Sequence, residues 1–233
     1  MYYTLLYALS FNCMVDAMSN ASETEIKKSK KEWKIIKSYP EKRKRLEGLL
    51  RHSWHDNNVD SRILAISWIE SRLRPNVRTG DRGKACGTFQ IHARYSYPMF
   101  RRKGGFRNWK ENKFQKQIKR ECNKLRKVKY SVNTMKRLLK MMDKKDLHAC
   151  HHNSGFYGRC NTWYKKRVDF WINYFNFSKL SCKQNNKPIK VKNALLLYNI
   201  KNKVVDVLKK YLHKPYHHLV EVQIVNHLIH MNY

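Results

Sequence analysis

Apolar residues in this chain recur at spacings of three and four, and no stretch alternates apolar with polar over the length of a strand. That period is the helical one, so the chain is confined to a mostly α architecture. Leu46, Leu49 and Leu50 mark a helix over about 41–55. The next starts at Asp60 or Ser61, both good N-caps, and runs to about Arg74, where Pro75 stops it. Residues 75–110 hold most of the glycines (80, 83, 87, 104, 105) and read as loops. Helical patterns resume over about 112–127, 132–142, 144–153 and 161–178. Two more, 192–212 and 216–230, flank Lys214-Pro215.

A chain of 233 residues can build one substantial core with extensions. Its 42% hydrophobic and 12% aromatic content excludes a disordered chain. Charge restricts its partners. Fifty Lys and Arg against seventeen Asp and Glu leave a net +33, spread over Lys27–Arg45, Arg101–Lys129 and Lys183–Lys214. Such an excess favours polyanions, whether nucleic acid, anionic lipid or acidic wall polymer; the plainer reading is a solvated lysine-rich surface.

Six cysteines, at 13, 86, 122, 150, 160 and 182, include no Cys-x-x-Cys pair, which argues against zinc ribbons and thioredoxin-like motifs. Outside the cytoplasm a disulfide between Cys150 and Cys160, or between Cys86 and Cys122, is the expected pairing. The apolar stretch Tyr2–Val15 falls short of the roughly 20 residues a bilayer crossing takes, and no other stretch is apolar enough to cross. Two readings of it stand. One is a secretory segment cut near Val15-Asp16-Ala17, although no Lys or Arg precedes it; the other is a helix or strand packed on the domain.

On a helical wheel Ile63, Ile66, Ile69 and Leu73 share one arc, and Glu70 falls inside it. A carboxyl on an apolar stripe is costly to ionise and so suits a general acid, which must hold its proton near neutral pH. The competing reading is a structural carboxylate paired with Arg72 or Arg74.

Glu70-Ser71 is followed by Gly87-Thr88-Phe89-Gln90-Ile91, then His151-His152-Asn153-Ser154-Gly155, then Tyr164-Lys165-Lys166-Arg167-Val168. In order and spacing these four elements, over about 60–175, resemble the lytic transglycosylase and goose-type lysozyme superfamily. That resemblance implies a lysozyme-like catalytic domain at 45–180, preceded by an apolar and basic segment (1–44) and followed by a helical extension (181–233). It implies Glu70 as catalytic acid/base and Ser71 as a substrate-holding neighbour. Gly87 and Gln90 correspond to a turn approaching the glycan and a polar side chain facing it. Asn153 corresponds to the Asn of the third motif, and Tyr164 to a phenol beside the carboxylate. Thr88-Phe89 stand where the family has Leu-Met, and His151-His152 where it has Ala-Tyr.

The resemblance further implies peptidoglycan as substrate, no cofactor and no metal. The products would be 1,6-anhydro ends from a transglycosylase, or hydrolysed ends if water reaches the site. The expected setting is extracytoplasmic, at the cell envelope or on a phage particle. A second carboxylate is best sought at Asp81, which as readily forms a turn between Gly80 and Gly83. Two readings of other kinds remain. One is a metal site on His148, Cys150, His151, His152 and Cys160; the other is a non-enzymatic basic module with Phe106, Trp109, Phe114 and Tyr130 among its lysines.

Overall fold

The computed structural model describes residues 10–21, 39–55, 58–73, 85–93, 112–143, 162–185 and 187–211. The protein is mostly α: helix accounts for 83% of what is described, in seven helices. They are α1 (10–21), α2 (Tyr39–Ser53), α3 (Ser61–Ser71), α4 (Asn112–Leu125), α5 (Val128–Asp143), α6 (Thr162–Asn185) and α7 (Val191–Tyr211). Four two-residue strands form two antiparallel pairs, too short for alternation to have announced them. Strand β1 (Trp54–His55) pairs with β2 (Asn58–Val59), and β3 (Ala85–Cys86) with β4 (Ile91–His92), in register Ala85 to His92 and Cys86 to Ile91. The sequence patterns at 144–153 and 216–230 lie outside the described residues.

Contacts group the chain into two units, Ser38–Asp169 and Met1–Lys37 with Phe170–Tyr233. In the first, α5 packs on α2, α3 and α4, because all four helices carry apolar stripes at three-four spacing. Leu46, Leu49 and Leu50 of α2 are buried, as are Val132, Met135, Leu138 and Leu139 of α5. Each such side chain contributes about 1.5–3 kcal/mol when fully buried.

Helix α3 differs from these in being buried nearly all round: Ser61, Ile63, Leu64, Ala65, Ile66, Ser67, Trp68 and Ser71 are all inside. Its serines are tolerated there because their hydroxyls bond to its own carbonyls, Ser67 to Leu64 O at 2.8 Å and Ser71 to Ser67 O at 3.1 Å. Asp60 caps its start, accepting from the Arg62 amide at 2.9 Å.

In the second unit, α1 buries Cys13, Met14, Val15, Ala17, Met18 and Ala21. A disulfide joins Cys13 to Cys182 on α6, and the Tyr174 hydroxyl donates to Ala17 O at 2.8 Å. The end of the apolar stretch, from residue 10 onwards, is therefore a packed helix in this structure, and the Cys13–Cys182 pairing was not among those expected. Phe170 and Tyr198 meet edge to face at 5.7 Å, linking α6 to α7. Among the described residues, no helix is long and apolar enough to cross a membrane.

Candidate active site

Glu70 stands at the last turn of α3, and the end of that helix is unusual. Pro75 was expected to stop it near Arg74; instead it stops at Ser71, because Arg72 and Leu73 both turn left-handed, at φ 54° and 65°. That region costs a residue with a side chain roughly 1–2 kcal/mol, which is why glycine usually fills it. Arg72 supplies compensation. Its Nη1 donates to Ile69 O at 3.0 Å and to Trp68 O at 2.8 Å, the latter also accepting the Arg72 amide at 3.0 Å, and its guanidinium lies 5.1 Å over the Trp68 ring. Arg72 is thus occupied with the helix end.

The wheel placed Glu70 on the buried face. In the structure Ile63, Ile66 and Leu73 are buried, but Glu70 and Ile69 are only half-buried, on a helix otherwise almost fully enclosed. The arc holding the carboxyl is thus closed at Ile63, Ile66 and Leu73 and opens only towards the last turn, at Ile69 and Glu70. A wheel groups residues by face and does not show where along that face the packing ends.

The Glu70 carboxylate meets the Tyr164 phenol, which donates to its Oε1 from 94 residues further along the chain. Tyr164 sits in the first turns of α6, where Tyr164 and Val168 are buried while Lys165 and Lys166 point to solvent. Burial, then the neighbouring Glu70 charge and the hydrogen bond to it, push the Tyr164 phenol well above its ordinary range; Arg167 pulls it the other way. The phenol consequently stays protonated and remains a donor. Arg167, one turn beyond Tyr164, is half-buried and close enough to act on the pair electrostatically. It was not singled out from the sequence, although its i+3 spacing from Tyr164 was the available signal.

The remaining candidates are placed differently. Ser71 is buried, with its hydroxyl turned back on Ser67. Gly87 lies in the turn between β3 and β4 at φ 75°, and a Cβ there would come within 2.1 Å of Leu125 O. The end of α4 therefore accounts for this glycine, without appeal to a glycan. The Cys86–Cys122 disulfide, one of the expected pairings, fixes the same contact. Gln90 is also left-handed, at φ 47°, and its Nε2 donates back to Gly87 O at 3.0 Å. It closes its own turn, and Phe89 beside it is fully buried. The structure thus brings Glu70 and Tyr164 together, while Gly87 and Gln90 share one turn. Asn153, Asp81 and the His148–Cys160 group lie outside the described residues.

No family model, curated protein or solved structure matches the chain.

Other carboxylates of this unit are engaged locally. Glu47 pairs with Arg43 at 2.9 Å, Asp60 with Arg62 at 2.7 Å, and Asp169 with Lys165 at 2.6 Å. Glu121 is buried and accepts from the Tyr130 hydroxyl at 2.6 Å. Among the described residues, no group of three or more His, Cys, Asp or Glu could hold a metal ion. What the site offers is a half-exposed carboxyl steadied by a buried phenol, with a cation one turn away. Such an arrangement suits proton transfer to and from a bound polar substrate.

Proposed function

We propose that this protein is a peptidoglycan lytic transglycosylase of the lysozyme-like kind, cutting the β-1,4 bond between N-acetylmuramic acid and N-acetylglucosamine with Glu70 as its acid and base. The observation that carries the reading is the hydrogen bond from Tyr164 to Glu70. The first and last of the four sequence motifs meet at the carboxyl to which the resemblance assigns the chemistry.

Protonated Glu70 gives its proton to the glycosidic oxygen as the C1–O bond breaks, and the leaving sugar departs with a free hydroxyl. The substrate's acetamido group supports the positive charge developing at C1. The Glu70 carboxylate then takes the proton of the C6 hydroxyl on the same muramic acid while that oxygen bonds to C1. A 1,6-anhydro ring forms, Glu70 ends protonated again, and no water is consumed. One acid does both steps, in keeping with the local partners that occupy Glu47, Asp60, Glu121 and Asp169. Two disulfides, Cys13–Cys182 and Cys86–Cys122, support an oxidising, extracytoplasmic or virion setting.

The test is a digest of purified peptidoglycan by wild type and Glu70→Gln, with the released muropeptides weighed by mass spectrometry. Fragments one water lighter than hydrolysis products, absent with the variant, are expected. Ordinary reducing ends would make the protein a hydrolytic lysozyme on the same site. If the folded wild type releases nothing, the enzyme reading fails.

A further inference from the structure

Between Asn112 and Asp143, eleven Lys and Arg face two acids, Glu121 and Asp143. Glu121 adds nothing to the surface: it is 2% exposed and bonded to the Tyr130 hydroxyl, with Lys124 at 3.5 Å. The two helices that carry these residues pack against each other through a tight Arg126-Lys127 connection, and Lys116, Lys119, Arg120, Lys127, Lys129 and Lys140 are all exposed. None of these six has an acidic partner among the described residues.

The end of α2 extends the positive field. Lys136 Nζ reaches His52 O at 3.2 Å, and His52 is held below its ordinary pKa by burial first and then by Lys129, Arg51 and Lys136.

We propose that the exposed face of the α4–α5 hairpin, built on these six cations, docks an anionic wall polymer: a flexible chain of phosphodiester-linked units. Five of the six are lysines, hydrated point charges that attract phosphate without the bidentate geometry arginine imposes. No exposed aromatic lies among the described side chains of the hairpin, which disfavours stacking on nucleobases. Among the described side chains the exposed large apolar ones, Leu195 and Leu196, belong to α7, and those described on the hairpin include none to insert into a bilayer. A polymer that presents one negative charge per repeat and needs neither contact fits what is left. The choice of a wall polymer over duplex nucleic acid rests on the glycan-cleaving reading above. The surface itself does not.

The experiment titrates the full-length protein with poly(glycerol phosphate), and with duplex DNA at matched phosphate, at several salt concentrations. It is run on wild type and on Glu70→Gln, so that the presence or absence of glycan cleavage cannot decide the binding result. One variant carries Lys116→Gln, Lys119→Gln, Arg120→Gln, Lys127→Gln, Lys129→Gln and Lys140→Gln, and a milder one only the last three. A control removes the same charge from exposed lysines elsewhere: Lys165, Lys166, Lys183, Lys190, Lys192 and Lys203. At about 0.1 M salt the sixfold variant is expected to bind the polymer roughly a hundred-fold more weakly, and the threefold variant about ten-fold. The control should stay within about three-fold, with DNA held less tightly than the polymer by wild type. Equal losses in control and hairpin variants would overturn the surface, because net charge alone would then explain binding. So would absence of polymer binding, and DNA bound as tightly as the polymer would reassign the surface to nucleic acid.

Discussion

Among the described residues of the unit Ser38–Asp169, two glutamates each accept a tyrosine hydroxyl, and the two pairs are built inside out from one another. In one, Glu121 is 2% exposed while Tyr130 is half-buried; they lie nine residues apart on the α4–α5 hairpin. In the other, Tyr164 is 5% exposed while Glu70 is half-buried, and 94 residues separate them. The chemistry of the hydrogen bond is the same, but the accessible partner is reversed. A carboxylate sealed beneath its phenol can only hold two helices together. A partly exposed carboxyl, steadied by a protonated phenol, can meet a substrate. Exposure of the acid, not the presence of a Glu–Tyr pair, separates a candidate catalyst from a structural tie.

The comparison breaks most sharply on the acids themselves. Glu70→Gln is expected to lower the rate of glycan release roughly 10³-fold, about 4 kcal/mol on the barrier, with Tm within a degree or two of wild type. Glu121→Ala should do the opposite. Removing a buried, hydrogen-bonded carboxylate leaves a cavity and an unpartnered phenol, at a cost of about 2 kcal/mol or a Tm lower by roughly 4–8 °C. The folded fraction should cleave glycan at the wild-type rate. Should the roles come out exchanged, exposure is the wrong criterion and Glu121 becomes the residue to pursue.

The phenols give a smaller version of the same contrast. Tyr164→Phe removes the donor that fixes Oε1, and about a ten-fold loss in rate is expected, the equivalent of one ordinary hydrogen bond. Tyr130→Phe should leave the rate unchanged and cost about 1 kcal/mol of stability, read as a Tm lower by roughly 3 °C. Equal rates for the two variants would mean that Tyr164 is a packing residue that happens to touch Glu70.

Which of these pairs the sequence revealed follows from how each is encoded. Helices α2, α4, α5 and α7 were legible to within about four residues, because their stripes are one-sided and period alone locates them, whereas α6 runs on to Asn185, past its expected end at 178. Glu70 and Tyr164 were legible as partners only through motif order, since nothing local links residues 94 positions apart. The Glu121–Tyr130 pair went unread because a lone Glu among lysines on an amphipathic helix looks like one more solvated charge. Its burial depends on where α5 packs. The opening at the last turn of α3 was unreadable for the opposite reason, as a helix apolar nearly all round has no polar face to mark where its cover ends. The left-handed backbone at Gln90, which turns its Nε2 onto Gly87 O, also went unread, because no pattern of residue types records a φ angle. The Cys13–Cys182 link joins residues 169 apart, beyond what spacing can specify.

The finest separation of the two pairs comes from alkaline pH. Tyrosines in the unfolded chain ionise near pH 10. In the folded protein Tyr130 is pushed up to about 12, by burial first and then by its hydrogen bond to Glu121 and the charge there; Tyr164 is raised well above the ordinary range by burial and Glu70. Both folded groups keep protons that the unfolded chain gives up, so their contribution is complete below pH 10 and is lost as pH rises beyond it. For Tyr130 the loss ends near pH 12, and for Tyr164 it continues. Tyr174, raised by burial in the other unit, adds the same slope to every variant and cancels in differences. Tm measured from pH 9 to 12 should therefore fall less steeply in Tyr130→Phe and in Tyr164→Phe than in wild type. The flattening should be the smaller for Tyr130, whose phenol is itself partly exposed and so less costly to ionise than the buried Tyr164. Parallel curves for all three proteins would mean that neither phenol is held protonated by its glutamate, and the buried-donor account of Tyr164 would go with them.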